Sequence, residues 1–253
     1  GISVGHIESG ERSFDWSMPE EHNRRMIDHI SDVLFATGDK AAANLSAESV
    51  SGKIIVSGNT ILDASVLFAR TSSVTDGEAQ PVGATNRYAV LTIHREENVD
   101  HIEKLRGALE GVSRAALAND LLVKFFLHPR TRKRLIEFDL LKWVESLGGI
   151  EVHEPLAYLQ FTACLSNANL VFTDSGGVQQ EACIHHVRCV TLRENTEWTE
   201  TIEIGANSLS GCDPERIMAA TSRALNTSNE WTVPFGDGQA SERIVDAISN
   251  LYF

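Results

Sequence analysis

A short loop carries the residue types of an anion-binding site. The segment TDSGGVQQE, residues 173–181, places an acid, a hydroxyl and two glycines between the apolar run NLVF and a stretch with helical spacing. Glycines let a backbone approach a ligand closely, and the first turn of a helix offers unpaired N–H groups with partial positive charge. Ser175 and Gly176 in this glycine loop are therefore candidates for holding an anion. In the alternative, Gly176 and Gly177 only make a tight turn, and Asp174 or Ser175 only caps the helix.

A second candidate group follows another apolar run. The segment YAVLTIHREENV has the pattern of a buried strand and continues into His94 and Arg95. Ligands of open α/β sheets bind at the carboxyl ends of strands, so we expect both side chains to face the same crevice as the glycine loop. In the alternative, His94 is a capping or ion-paired surface residue. We interpret Glu96 and Glu97 as a solvent-exposed first turn that the helix dipole favours.

The segment FFLHPRTRKR repeats this layout, with His128 and Pro129 closing a strand ahead of three arginines. A solvated basic face and a role in binding are both open for it. Near the amino end, a different chemistry is offered by five carboxylates, Glu8, Glu11, Asp15, Glu20 and Glu21. Carboxylates that meet at a strand end can have one pKa raised, which makes a general acid or base. In the alternative they are a solvated loop.

These residues need a scaffold, and the chain has the form of a parallel sheet covered by helices because strand-like and helix-like runs alternate. We therefore predict an α/β fold. The candidate strands are Ile2–Gly5, Asp32–Ala36, Ile54–Ser57, Tyr88–Ile93, Leu121–Leu127, Ile150–His153, Leu170–Thr173, Cys189–Leu192 and Ser208–Ser210. The segment TSSVTDGEAQPVGATNR, residues 71–87, lacks apolar periodicity and is interpreted as an interdomain linker.

Composition excludes several classes of protein. The chain of 253 residues has a formal charge of −13, which argues against a duplex nucleic-acid surface. No apolar run approaches a membrane span, and the first residues do not form a signal peptide, so we expect a cytoplasmic protein without a membrane partner. The four cysteines contain no C-x-x-C pair, so neither a zinc site nor a disulfide framework is indicated.

Six blocks of the chain resemble, in order and spacing, the non-hydrolysing UDP-N-acetylglucosamine 2-epimerases. They are HIESGERSFDWSMPEEHNRRMIDHISDVLFA, VSGNTILDA, LTIHREENV, LHPRTR, DSGGVQQEA and LRENTEWTETIEIG. The resemblance implies the glycosyltransferase-B architecture, in which two Rossmann-like domains face a cleft. It also implies interconversion of UDP-N-acetylglucosamine (UDP-GlcNAc) and UDP-N-acetylmannosamine (UDP-ManNAc).

The resemblance assigns a nucleotide site in the second domain. Ser175, Gly176 and Glu181 match the loop and helix start that hold UDP, with Glu181 accepting from both ribose hydroxyls. Arg193 matches the nucleotide-site arginine of the segment LRENTE, and Phe161 matches a residue near uracil. The glycine loop is then expected to hold a nucleotide diphosphate.

The resemblance also assigns the residues of the reaction. His94 matches a catalytic histidine beside the diphosphate, and Glu8 and Glu20 match two acidic residues implicated in proton transfer. His128 matches a position that helps to bind a second, activating UDP-GlcNAc in some members. The implied mechanism is elimination of UDP to 2-acetamidoglucal followed by its re-addition, and it requires no cofactor, neither metal nor NAD. The alternatives are a UDP-sugar-dependent glycosyltransferase and a non-catalytic remnant that binds UDP-sugars.

The resemblance begins in the middle of the family's first domain. The expected organisation is 1–70 for the remainder of that domain, 71–86 for the linker, 87–235 for the nucleotide-binding domain and 236–253 for a terminal helix that crosses back to the first domain. A parallel sheet reduced to about three strands exposes an edge, so we also expect a homodimer.

We predict that the 253-residue chain, tested alone, shows no measurable epimerase activity. Positioned proton transfer raises a reaction rate by about 10²–10⁴-fold. Glu8 and Glu20 lack the partners that the absent strands supply in the family. The measurement is exchange of the carbon-2 proton of UDP-GlcNAc in deuterated water. Its reference is the same chain extended upstream to family length, called the extended protein below. Equal exchange rates for the two would contradict the prediction.

Overall fold

A computed structural model of the chain describes residues 2–72 and 87–252. The chain divides into two compact units, Gly1–Thr75 with Val233–Phe253, and Asp76–Thr232. The predicted linker lies outside the described residues except at its two ends. Thr71 and Ser72 belong to a helix, and Arg87 directly precedes a strand.

The first unit is built on a parallel sheet of three strands in the order β1-β2-β3. The strands are β1 (Gly5–Ser9), β2 (Val33–Ala36) and β3 (Lys53–Val56), and the helices are α1 (Pro19–Ile30), α2 (Asp39–Ala47), α3 (Thr60–Ser72) and α12 (Ala240–Tyr252). Proline at the first position of α1 suits a helix start. It lacks an N–H group, and an N–H at this position would have no partner inside the helix.

The first strand differs from the prediction of Ile2–Gly5. Pairing with β2 begins only at Gly5, opposite Val33. Just before it, the Val4 carbonyl accepts the N–H groups of Asp32 and Val33, and the Val4 N–H donates to the Asp32 carboxylate at 2.8 Å. The prediction followed the apolar residues Ile2 and Val4, but Ile2 is 95% exposed. The strand therefore includes Glu8, which lies beyond the end of the predicted strand.

The second unit is built on a parallel sheet of six strands in the order β6-β5-β4-β7-β8-β9. This is the strand order of the Rossmann fold, so the predicted α/β class with parallel sheets is confirmed. The strands are β4 (Tyr88–Thr92), β5 (Leu122–Phe126), β6 (Ile150–His153), β7 (Leu170–Thr173), β8 (Cys189–Thr191) and β9 (Asn207–Leu209). The helices are α4 (Glu96–Val99), α5 (Ile102–Ala118), α6 (Pro129–Glu137), α7 (Leu141–Glu145), α8 (Tyr158–Ser166), α9 (Gly176–Ile184), α10 (Thr199–Glu203) and α11 (Pro214–Asn226).

Both faces of this sheet are buried, as the apolar character of its strands requires. On one face, Leu91 and Phe172 pack with α5 and α11, and on the other Val90 and Val171 pack with α8 and α9. Helix α5 approaches α11 closely because it carries glycine at the contact. A Cβ added at Gly111 would lie 2.8 Å from the Pro214 Cα atom.

The terminal helix α12 belongs to the first unit. Ile244 is buried against Val33 and Phe35 of β2. At the helix start, the Asp63 carboxylate accepts the N–H groups of Ala240 and Ser241 at 3.2 and 2.7 Å. Those two bonds satisfy N–H groups that have no partner inside the helix and favour the positive end of its dipole. Within the described residues, no helix combines the length and apolar character that a membrane crossing requires.

Candidate active site

The candidate site of the second unit lies where the strand order reverses. Strands β4 and β7 are neighbours in the centre of the sheet, and the chain leaves them toward opposite sides. At such a point the loops after the two strands part and leave a crevice for a ligand. These two loops carry His94 and the glycine loop, which the sequence predicted to meet.

Asp174 fixes the two loops together. Its fully buried carboxylate accepts the N–H of His94 at 3.0 Å and the N–H of Arg95 at 2.8 Å. The Asn98 amide donates to the same carboxylate at 3.1 Å and to the Leu192 carbonyl at 2.9 Å, which ties in the loop after β8. A helix cap was the alternative role of Asp174 in the sequence, and Asn98 was not identified there. Both in fact link the loops after three strands.

His94 lies between this carboxylate and a second histidine. Its Nδ1 atom is 3.3 Å from Asp174, and its ring centre is 5.1 Å from that of His128. Burial is the largest influence on the pKa of His94 and lowers it; Asp174 opposes this, and His128, Arg95 and Arg130 lower it further. Since the net shift is downward, the ring is neutral at pH 7 and has one nitrogen able to accept a proton.

His128 begins helix α6, where its Nδ1 atom accepts the N–H of Arg130 at 3.1 Å. The arginines that follow are paired with carboxylates. Arg130 donates to Glu96 at 2.6 Å and to Asp100 at 2.9 Å, and Arg134 donates to Asp100 at 2.9 Å. These residues form a network of paired charges at the surface, and a role of the segment in binding stays a prediction.

The glycine loop opens helix α9, with Ser175 as its N-cap and Gly176 as its first residue. A Cβ at Gly176 would lie 2.7 Å from a Glu197 carboxylate oxygen and 3.0 Å from the Trp198 indole nitrogen, whereas a Cβ at Gly177 would meet nothing within 4 Å. Gly176 is thus required by packing against the loop after β8, and the open space that a ligand could use lies at Gly177. The role of Ser175 and Gly176 in holding an anion stays a prediction.

Arg193 is buried beneath the same loop. It donates to Glu197 at 3.0 Å and to Asn195 at 3.2 Å, and its Nε atom is 3.3 Å from Glu97. Glu97 lies in the first turn of α4, as the sequence predicted, and keeps 38% of its side chain exposed while it pairs with this buried arginine. Its neighbour Glu96 lies at the surface, with 70% of its side chain exposed.

Glu181 lies one turn further along α9 and is buried. Burial raises the pKa of its carboxyl group, and a hydrogen bond from Tyr158 opposes that rise. Tyr158, the first residue of α8, was not identified from the sequence. On the same helix, Phe161 packs edge-on against Phe126 with ring centres 5.6 Å apart. The start of α8 thus brings an aromatic surface and a buried carboxyl group together.

Glu8 occupies an irregular position in β1. The pairing register with β2 shifts between Ile7 and Ser9, and Glu8 takes a φ of 66° in the left-handed region. A residue other than glycine is strained there, which costs about 1–3 kcal/mol and persists only where the surroundings enforce it. The Glu8 carboxylate lies 3.8 Å from the Arg24 guanidinium of α1. Opposite charges at this distance attract each other, so Arg24 restrains the position of the Glu8 carboxylate.

Two of the five carboxylates near the amino end are buried and hydrogen-bonded. Glu11 is buried and accepts from the Thr37 hydroxyl, and Glu21 is buried and accepts from Ser13 and Arg25. These two hold the loop in place. Glu20 lies in the first turn of α1, where the helix dipole favours a negative charge. Among the described residues, no group of three His, Cys, Asp or Glu side chains could hold a metal ion.

Comparison with known proteins decides the family. The family model described as UDP-N-acetylglucosamine 2-epimerase matches residues 1–249. The chain belongs to the UDP-N-acetylglucosamine 2-epimerase family. A member from Methanocaldococcus jannaschii is 45% identical over 96% of this chain and 68% of its own length. A member from Methanococcus maripaludis is 42% identical over 98% of this chain and 69% of its own length.

A solved structure of this family supports the same conclusion. The Methanocaldococcus jannaschii UDP-GlcNAc 2-epimerase, crystallised in complex with UDP-GlcNAc and UDP, superimposes with a TM-score of 0.93 at 44% identity. The match covers 98% of this chain and 69% of that chain. The resemblance identified from six sequence blocks is therefore confirmed at the level of family and fold.

Proposed function

We propose that this protein interconverts UDP-GlcNAc and UDP-ManNAc by elimination and re-addition of UDP. The observation that carries the proposal is the 0.93 TM-score, at 44% identity, to an epimerase crystallised with UDP-GlcNAc and UDP. The crevice between β4 and β7 supports it independently, because a helix N-terminus, a buried arginine and a neutral histidine lie around one opening.

We assign the nucleotide to the loops of the second unit. The N–H groups at the start of α9, with Ser175 and Gly176, hold the diphosphate, since a helix N-terminus attracts anions. Arg193 adds a buried positive charge near that position. Glu181 accepts from the ribose hydroxyls, and Phe161 lies near uracil.

The reaction follows from two proton transfers and one leaving group. A carboxylate, Glu8 or Glu20, removes the proton from carbon 2 while the bond from carbon 1 to the diphosphate oxygen breaks and UDP leaves with the electron pair. The product, 2-acetamidoglucal, stays bound. Return of a proton to the opposite face of carbon 2 and re-addition of UDP at carbon 1 complete the epimerisation. His94 and the helix N-terminus stabilise the departing diphosphate.

Further assignments belong to this proposal. His128, whose ring lies 5.1 Å from that of His94, contributes to a site for a second, activating UDP-GlcNAc. The protein works as a homodimer in the cytoplasm. UDP and UDP-GlcNAc are its small-molecule partners, and the reaction uses no cofactor.

The experiment that separates this function from a glycosyltransferase is incubation of the extended protein with UDP-GlcNAc and no acceptor. An epimerase forms UDP-ManNAc under these conditions. A glycosyltransferase leaves the sugar nucleotide unchanged until an acceptor is added. Unchanged UDP-GlcNAc together with transfer to an added acceptor would therefore refute the epimerase assignment.

The nucleotide assignment predicts that Glu181→Ala weakens UDP binding by about 1–3 kcal/mol, because ribose hydroxyls lose a buried acceptor. Isothermal titration calorimetry with the 253-residue chain measures the effect. Glu215→Ala is the matched control, since Glu215 is a surface residue of α11 that pairs with Arg114 of α5. Parental affinity in Glu181→Ala would show that this carboxyl group does not bind the nucleotide.

A further inference from the structure

One buried carboxylate in the first unit touches the chain on both sides of Glu8. Asp28 lies on α1 and is fully buried. It accepts from His6 Nδ1 at 2.6 Å, two residues before Glu8, and from the N–H of Gly10 at 3.2 Å, two residues after it. Arg12 Nη2 donates to it at 2.7 Å. Three contacts thus attach the strand end and the following turn to one side chain.

Asp28 also lies on the helix that begins with Glu20. The spacing of Glu20, Arg24 and Asp28 is four residues, so all three lie along one row of α1. Arg24, in the middle of the row, is 3.8 Å from the Glu8 carboxylate. The helix therefore contacts Glu8 directly through Arg24 and anchors the backbone around it through Asp28.

The loop between Glu8 and Glu20 is held at its other end by Glu21. The Glu21 carboxylate accepts the N–H and the hydroxyl of Ser13 at 2.9 and 3.1 Å, and Arg25 at 2.9 Å. Arg12 adds a third contact, because its Nε and Nη2 atoms both donate at 2.8 Å to Glu48, the residue that follows α2. These contacts over-determine the backbone on both sides of a strained residue, which is the condition under which a left-handed φ at Glu8 persists.

We propose that Asp28 is a positioning residue, which holds the Glu8 backbone in its left-handed conformation and fixes the Glu8 carboxylate relative to Glu20. The inference rests on the proposed function, in which these two glutamates transfer the carbon-2 proton. Asp28 itself does not touch the substrate. It acts through the backbone of β1 and through Arg12.

The test compares Asp28→Asn with Glu48→Gln in the extended protein. Both changes remove one negative charge from around Arg12, but only Asp28 touches residues on both sides of Glu8. Displacing a catalytic group by about 1 Å costs about 10²-fold in rate. We expect Asp28→Asn to lower kcat by about 10²-fold with KM nearly unchanged, after correction for folded fraction by urea titration. Glu48→Gln weakens the contacts of this side chain to Arg12 and Arg25. It keeps the bonds of His6, Gly10 and Ser13, so its loss of kcat is expected to be at least about 10-fold smaller.

A kcat of Asp28→Asn near the parental value, or equal losses in the two variants, would overturn the proposal. If Asp28→Asn does not fold, Asp28→Glu replaces it, because it keeps the charge beside Arg12 and moves the carboxylate by one methylene. Parental kcat in Asp28→Glu would then be the contradicting result. A parent that converts no UDP-GlcNAc refutes the proposed function and this inference together, whereas an active parent with an equally active Asp28 variant refutes this inference alone.

Discussion

Asp174→Ala is expected to lower the free energy of unfolding by about 3–5 kcal/mol, one of the largest effects of a single substitution in the chain. The carboxylate is fully buried and accepts the N–H groups of His94 and Arg95 and the amide of Asn98. Alanine leaves those donors buried without an acceptor, and each such group costs about 1–3 kcal/mol. Urea denaturation, monitored by fluorescence or circular dichroism, measures the loss.

The matched control is Asp100→Ala. Asp100 also pairs with two partners, Arg130 and Arg134, but 28% of its side chain is exposed. Ion pairs near the surface are worth about 0–1 kcal/mol, so this variant is expected to remain close to the parent. Equal losses in the two aspartate variants would contradict the view that Asp174 is the buried link between the loops after β4 and β7.

His94→Gln is expected to lower the turnover of the extended protein by about 10²–10³-fold, the range for loss of one group that stabilises charge developing on a leaving group. Glutamine keeps a polar side chain of similar reach but lacks the imidazole ring that lies 3.3 Å from Asp174. Steady-state conversion of UDP-GlcNAc measures the loss. His101→Gln, at the exposed N-cap of α5, is the control and is expected to retain parental turnover.

The same substitution also has a consequence for stability. Burial lowers the pKa of His94 in the folded protein, so the folded state disfavours the protonated ring. The neutral ring's contribution to the free energy of unfolding is therefore fully present above about pH 6.5, the pKa of the unfolded state. It is lost as the pH falls toward the lower pKa of the folded state. Denaturation at pH 5 and pH 7.5 should show a larger acid loss for the parent than for His94→Gln. An equal loss would show that His94 is not desolvated.

The sequence was sufficient to predict the sheet of the second unit. Its strands are continuous apolar runs with few alternatives, and residues at the carboxyl ends of neighbouring parallel strands must converge. For that reason the meeting of His94 with the glycine loop followed from the order of strands, and the structure places both at the reversal between β4 and β7.

Contacts between distant segments could not be predicted from the sequence. Three side chains are held by partners that are distant in the sequence. Asn98 contacts Asp174, 76 residues away, and Glu97 contacts Arg193, 96 residues away. Tyr158 contacts Glu181, 23 residues away. No local pattern records such pairs. The requirement for glycine at 176 likewise comes from Glu197 and Trp198 and is invisible in the loop itself.

The first strand shows a different limit. Its apolar residues Ile2 and Val4 suggested a strand, but pairing starts at Gly5 because Val4 is already bonded to the turn before β2. A register that depends on the hydrogen bonds of one residue at a strand start is not encoded in period-two alternation. The observed strand therefore runs to Ser9, and Glu8 lies within it at a bulge.

The proposed epimerisation of carbon 2 of a UDP-sugar through elimination can be followed by proton NMR. UDP-GlcNAc is incubated with the extended protein in deuterated water, without an acceptor. We expect that UDP-ManNAc appears and that deuterium replaces the carbon-2 proton in both sugar nucleotides. Unchanged, fully protonated UDP-GlcNAc in the presence of a protein that binds UDP would contradict it and would favour a binding protein without catalytic activity.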